Sequence, residues 1–125
     1  MKYLPAIFWA ALLFFLSSLP STKIPTFGVE FEDLYMHFLA YFVFGTFLGL
    51  AFAKPTEQVW IKKLIGIAVI GIIYGATDEF HQSFVPGRTP ALSDLYADNL
   101  GVLCGSWFYL KYGALFLKKK GWFHL

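Results

Sequence analysis

The chain has 125 residues, 58% of them hydrophobic, against roughly 45–50% in an ordinary soluble domain. Fifteen Phe, seven Tyr and four Trp cannot all be buried in a water-soluble core this small, so the chain is expected to use lipid as part of its solvent and to form one domain. The formal charge of +2 includes no basic stretch interleaved with aromatics, which argues against a nucleic-acid partner, and the single Cys104 excludes an intrachain disulfide.

A membrane helix needs about 20 mostly apolar residues, and four segments approach that length. The first covers about residues 3–19, with Pro5 in its first turn and Pro20 stopping it. Lys2, the apolar run and Ser17-Ser18 give it some likeness to a signal peptide. Phe14, Phe15 and Leu16 stand where small residues precede a cleavage site, so the segment is expected to be retained as a span. Residues 20–32 form a turn-rich connection containing Pro20, Pro25 and Gly28.

The second helix is predicted over 33–53, ending before Lys54 and Pro55. A short polar link containing Glu57 leads to the third, over 60–82, which is apolar to Tyr74 and then carries Asp78, Glu79, His81 and Gln82. Pro86, Gly87 and Pro90 break the chain before the fourth helix, predicted over 93–117 with Ser93 as N-cap and Asp94 behind it. The expected fold is an all-α membrane protein, four transmembrane helices packed as a small antiparallel bundle in a single domain, 1–125.

Charge placement sets the expected orientation, because short loops rich in Lys and Arg stay in the cytoplasm. One side collects Lys2, Lys54, Lys62, Lys63, Lys111, Lys118, Lys119 and Lys120, with Glu57 as its only acid. The other holds Lys23 and Arg88 with Glu30, Glu32, Asp33, Asp78, Glu79, Asp94 and Asp98. Both termini are therefore expected in the cytoplasm and the acidic end outside.

At four-residue steps Asp33, His37, Tyr41, Gly45 and Gly49 share one stripe of the second helix. Gly71 and Gly75 lead to Asp78, Glu79 and Gln82 on the third, while Asp94 and Asp98 precede Gly101 and Gly105 on the fourth. Small residues four apart let helices approach closely in lipid, so the polar ends of three helices should converge on one pocket. Membrane-embedded ionisable groups mark function more often than structure, although acids near an interface can also simply be wet, cap a helix or hydrogen-bond across helices. Singly, His37 fits an interhelical hydrogen bond, His81 a wet interface and Arg88 an ion pair or a planar fork for phosphate or carboxylate. Asp33, Asp78, Glu79, Asp94 and Asp98 oppose Arg88 alone, a surplus that protonation, a bound divalent cation or a cationic ligand group could neutralise.

These residues also carry a resemblance. Asp33 four residues before His37-Phe38, with Tyr41 following, is the first part of a pattern. Asp78, Glu79, His81 and Gln82 followed by Phe84-Val85-Pro86-Gly87-Arg88 are the second, and Asp94, Asp98 and Gly101 the third. Together they resemble the VanZ-like family of small bacterial membrane proteins, over most of the chain. Leu34 departs from the pattern, standing where the family often has Lys, so a role for that extra cation does not carry over.

The resemblance implies a multi-pass protein of the bacterial cytoplasmic membrane. Through the family's namesake it also implies a link to resistance against the glycopeptide teicoplanin. It speaks to architecture and site more than to reaction.

Two functions follow. One is an enzyme-like site on an amphiphilic, anionic molecule such as a lipid-linked envelope precursor. There His37 or Glu79 would act as general base, Asp78 and Asp94 as metal ligands or orienters, and Arg88 as anion clamp, with Asp33, Tyr41, His81, Gln82 and Asp98 contacting substrate. The other is a noncatalytic protein that binds a membrane lipid or a lipoglycopeptide drug, or an assembly subunit with a purely structural polar cluster. No activated nucleophile, phosphate loop or His-Glu-x-x-His spacing selects a reaction.

Overall fold

The structure, a computed structural model, describes residues 1–52, 60–113, 115 and 119. Among these the fold is entirely helical: α1 (Leu4–Ser17), α2 (Glu32–Phe52), α3 (Trp60–Gln82) and α4 (Leu92–Phe108). A short 3₁₀ turn at Ser21–Lys23 follows α1, and a π-helical run at Tyr109–Gly113 follows α4. The expected extension of the fourth helix to Leu117, the link holding Lys54 and Glu57, and Lys118 and Lys120 lie outside the described residues.

Local chemistry accounts for the boundaries. Pro5 sits in the first turn of α1, where its missing N–H would have had no intrahelical acceptor. The helix stops at Ser17, short of the expected residue 19, and Pro20 closes the approach to the 3₁₀ turn. The first turn of α2 is anchored by Glu32, whose Oε2 accepts the N–H groups of Phe27 at 2.9 Å and Val29 at 3.3 Å. An acid at this end also complements the helix dipole.

The start of α4 departs from expectation. Its N-cap is Ala91, and Ser93 lies inside the first turn. Ala91 offers no capping side chain; its own N–H donates to Glu79 Oε2 at 3.2 Å, tying the top of α3 to the start of α4.

The small-residue stripes are contact faces. A Cβ added to Gly101 would fall on the Phe38 carbonyl oxygen, one on Gly105 on that of Phe42, and one on Gly45 on that of Val102. The α2 and α4 backbones thus meet without intervening side chains, as close packing in lipid favours. α3 joins more loosely, Gly71 resting on the Val102 side chain and Gly75 on Leu95 and Asp98. α1 is tied on by two hydrogen bonds to carbonyls: Trp9 Nε1–H to Ala40 at 2.9 Å, and Tyr74 O–H to Ala10 at 2.5 Å. Tyr41, Phe44, Leu48, Ile67 and Val102 are buried at the centre.

Four helices are present among the described residues, and not all of them have the length and apolarity of a membrane span. Among the described residues only α2, with 21 residues, is long and apolar enough to cross a membrane by length and composition. α1 has 14 residues, about 21 Å of helix against a hydrocarbon core of about 30 Å. α3 has the length, 23 residues, but carries Lys62 and Lys63 near one end and Asp78 and Glu79 near the other.

Candidate functional site

The polar ends of α2, α3 and α4 converge around His37. Its Nδ1 lies 2.7 Å from Asp98 Oδ1, and its Nε2 lies 3.8 Å from Asp94 Oδ2. Asp94 and Asp98 are four residues apart on α4 and so share a face, which lets one imidazole meet both. Asp98 has no exposed surface, because Gly75 and Gly101 allow the helices to close around it. One turn below His37, the buried Tyr41 donates its O–H to Asp78 Oδ2 at 3.0 Å. Glu79 reaches the same cluster while Oε2 holds the Ala91 N–H. One ligand atom each from His37, Glu79 and Asp98 lie within 4.8 Å of one another.

Beside this cluster is a cavity of ≈ 270 Å³ between α1, the 3₁₀ turn with its following loop, α2 and α3. Leu13, Leu16 and Met36 contribute to an apolar wall, and Lys23, Gln82 and Arg88 to a polar one. Arg88 is delivered by a tight turn in which its N–H donates to Val85 C=O at 3.2 Å, with Pro86 and Gly87 between. Gly87 has φ 74°, the left-handed value that a turn with Pro at its second position requires of the third. The Ser21 N–H meets Pro86 C=O at 3.4 Å, joining the loop after α1 to the loop after α3.

Of the residues singled out from the sequence, Asp33, His37, Tyr41, Asp78, Gln82 and Arg88 line this cavity. Glu79, Asp94 and Asp98 do not line it but gather around His37, which belongs to both groups. His81 is separate. It stacks on Phe14 with ring centroids 4.6 Å apart, and its Nε2 lies 2.9 Å from Ser18 Oγ, so it faces α1 and is absent from the cavity wall. Two positions beyond Glu79 on a helix, it points about 200° away from it.

Lys23 and Ser17 also line the cavity and had no motif to announce them. Lys23 could have been found as the one cation besides Arg88 on the acidic side. Several buried polar atoms have no hydrogen-bond partner among the described residues: Ser17 Oγ, Asp78 Oδ1, Glu79 Oε1, Arg88 Nε and Asp98 Oδ2. Chemically, the arrangement offers an anion the Lys23 ammonium and the Arg88 guanidinium fork, an imidazole oriented by a carboxylate for proton transfer, and a nitrogen and oxygen set able to hold a cation.

Fold and site together define, among the described residues, an all-helical bundle with a histidine and buried carboxylates gathered at one end. Within that class, the chain belongs to the VanZ/LLP1 family, whose model matches residues 3–117. Neither the curated proteins nor the solved structures compared with it gave a match.

Proposed function

We propose that this VanZ-family protein binds an amphiphilic cell-envelope molecule with an anionic head, such as a lipid-linked precursor, at the extracytoplasmic face of the bacterial cytoplasmic membrane. The observation that carries the reading is the two-sided cavity, with Arg88 and Lys23 over a wall that includes Leu13, Leu16 and Met36. The head group pairs with the cations and the chain lies along the apolar wall. Glu32, Asp33 and Asp78 also line the cavity and oppose an anion, but Glu32 is engaged with the Phe27 and Val29 N–H groups and Asp78 accepts the Tyr41 O–H. Arg88 keeps a buried Nε–H without a partner, a donor that a phosphate oxygen would satisfy.

The membrane placement rests on α2 and on outward apolar side chains such as Phe8, Ile73 and Phe80, each more than 60% exposed. Four spans, cytoplasmic termini and an outer site follow from the charge asymmetry. A lipoglycopeptide such as teicoplanin shares the amphiphilic chemistry, and resistance would follow from capturing the drug or altering its target.

Purified protein incubated with bacterial lipid extract, followed by mass spectrometry of the lipids that co-purify, tests the proposal. Retention of anionic amphiphiles supports binding, and a mass shift among them adds catalysis. Retention of neutral and anionic lipids in their bulk proportions would overturn it.

A further inference from the structure

We propose that His37, Glu79 and Asp98 form a site for one first-row divalent transition ion, Zn²⁺ or Mn²⁺, with Asp94 beside it. The inference goes beyond the binding of an envelope molecule and stands whether or not an anion occupies the cavity. It begins with geometry. Three atoms within 4.8 Å of one another surround a point at most about 2.8 Å from each, and ligand distances of about 2.0–2.2 Å are then reached by shifts of under about 1 Å. The three ligands come from α2, α3 and α4, so their spacing is set by the backbone contact of α2 with α4 and by the seating of α3 on α4 side chains.

A second observation points independently to a ligand. Asp98 is 0% exposed and Glu79 8% exposed, yet Asp98 Oδ2 and Glu79 Oε1 have no hydrogen-bond partner among the described residues. A proton shared between His37 Nδ1 and Asp98 Oδ1 satisfies that pair only and leaves both of these oxygens unsatisfied. A cation satisfies them together with the imidazole. It also offsets the negative charge that Asp94, 3.8 Å from His37, adds to the cluster.

The donor set selects the kind of ion. Mg²⁺ and Ca²⁺ prefer oxygen alone, whereas one imidazole with carboxylates suits Zn²⁺ or Mn²⁺. Three protein ligands leave coordination positions open, the arrangement of ions that also engage a further molecule. His37 lines the cavity as well, so the ion lies within reach of whatever enters there.

The test uses the full chain in detergent, stripped with chelator and titrated separately with ZnCl₂, MnCl₂, MgCl₂ and CaCl₂ by calorimetry. The expected result is one Zn²⁺ or Mn²⁺ per chain, with Mg²⁺ and Ca²⁺ at least about tenfold weaker. Glu79→Gln and Asp98→Asn should abolish saturable binding, and Asp94→Asn should weaken it by about 10–100-fold. The exposed Lys62→Gln, at the far end of α3, should leave it unchanged. Because Asp98→Asn could unfold the bundle, the wild-type Mn²⁺ complex supplies a second readout, pulsed electron paramagnetic resonance for an imidazole nitrogen on the ion. A nitrogen signal that His37→Gln removes supports the site. No saturable binding, equal affinity for Mg²⁺, or bound Mn²⁺ without a nitrogen ligand would overturn it.

Discussion

Arg88 reaches the cavity because two residues before it are chosen for the turn, Pro86 fixing one φ and Gly87 supplying a positive one. A Cβ at Gly87 would also press on the Ser21 hydroxyl of the loop after α1. Gly87→Ala should therefore destabilise the protein by about 1–2 kcal/mol, measured as a lower thermal midpoint in detergent, and an unchanged midpoint would show that the turn relaxes freely. Arg88→Gln should weaken binding of an anionic amphiphile about tenfold or more, and Arg88→Lys should recover only part of it, since an ammonium lacks the planar fork. At Tyr41 the role is different. Tyr41→Phe removes the only hydrogen bond that Asp78 has among the described residues and leaves both carboxylate oxygens there without a donor, a loss of about 1–3 kcal/mol in stability. A Tyr41→Phe midpoint equal to wild type would mean that Asp78 finds another partner.

At the scale of helices, the glycines are not equivalent. Gly101 faces backbone atoms of α2, which cannot move without moving the helix, whereas the nearest atom to a Cβ on Gly75 is a Leu95 methyl at 3.2 Å, which can rotate away. Gly101→Ala should cost about 1–3 kcal/mol by overpacking and Gly75→Ala much less. Equal midpoints for the two variants would contradict the backbone contact. The contrast marks what the sequence could and could not disclose. Four-residue spacing placed the small residues of α2, α3 and α4 on shared faces, and it brought Asp94 and Asp98 to the same side as His37. It could not tell backbone from side chain as the opposing surface. Nor could it place the α4 start, because Ser93 is a better cap than Ala91 by local preference, and Glu79 decides the matter from twelve residues away. The Trp9 and Tyr74 bonds that hold α1 link residues 31 and 64 apart, with no local pattern to signal them.

For the whole molecule, the acidic end, the apolar bundle and the cavity residues of α2 and α3 were legible from charge, spacing and hydropathy, while the rest of the cavity was not. It takes residues from α1 and the following loop, segments that carry none of the family pattern. Topology is checked by single cysteines introduced with Cys104 replaced by Ser. Thr26→Cys should label from outside intact cells and Thr56→Cys should not, and the reverse would move the site to the cytoplasmic face. The central claim, that this cavity recognises an anionic head beside an apolar chain, is tested most directly with two amphiphiles of equal chain length, one carrying a phosphate head and one a neutral head. Titrated against the purified protein, the phosphate amphiphile should bind at least about tenfold more tightly, equivalent to about 1.4 kcal/mol, and Arg88→Gln should erase the difference. Equal affinity of wild-type protein for the two would contradict it.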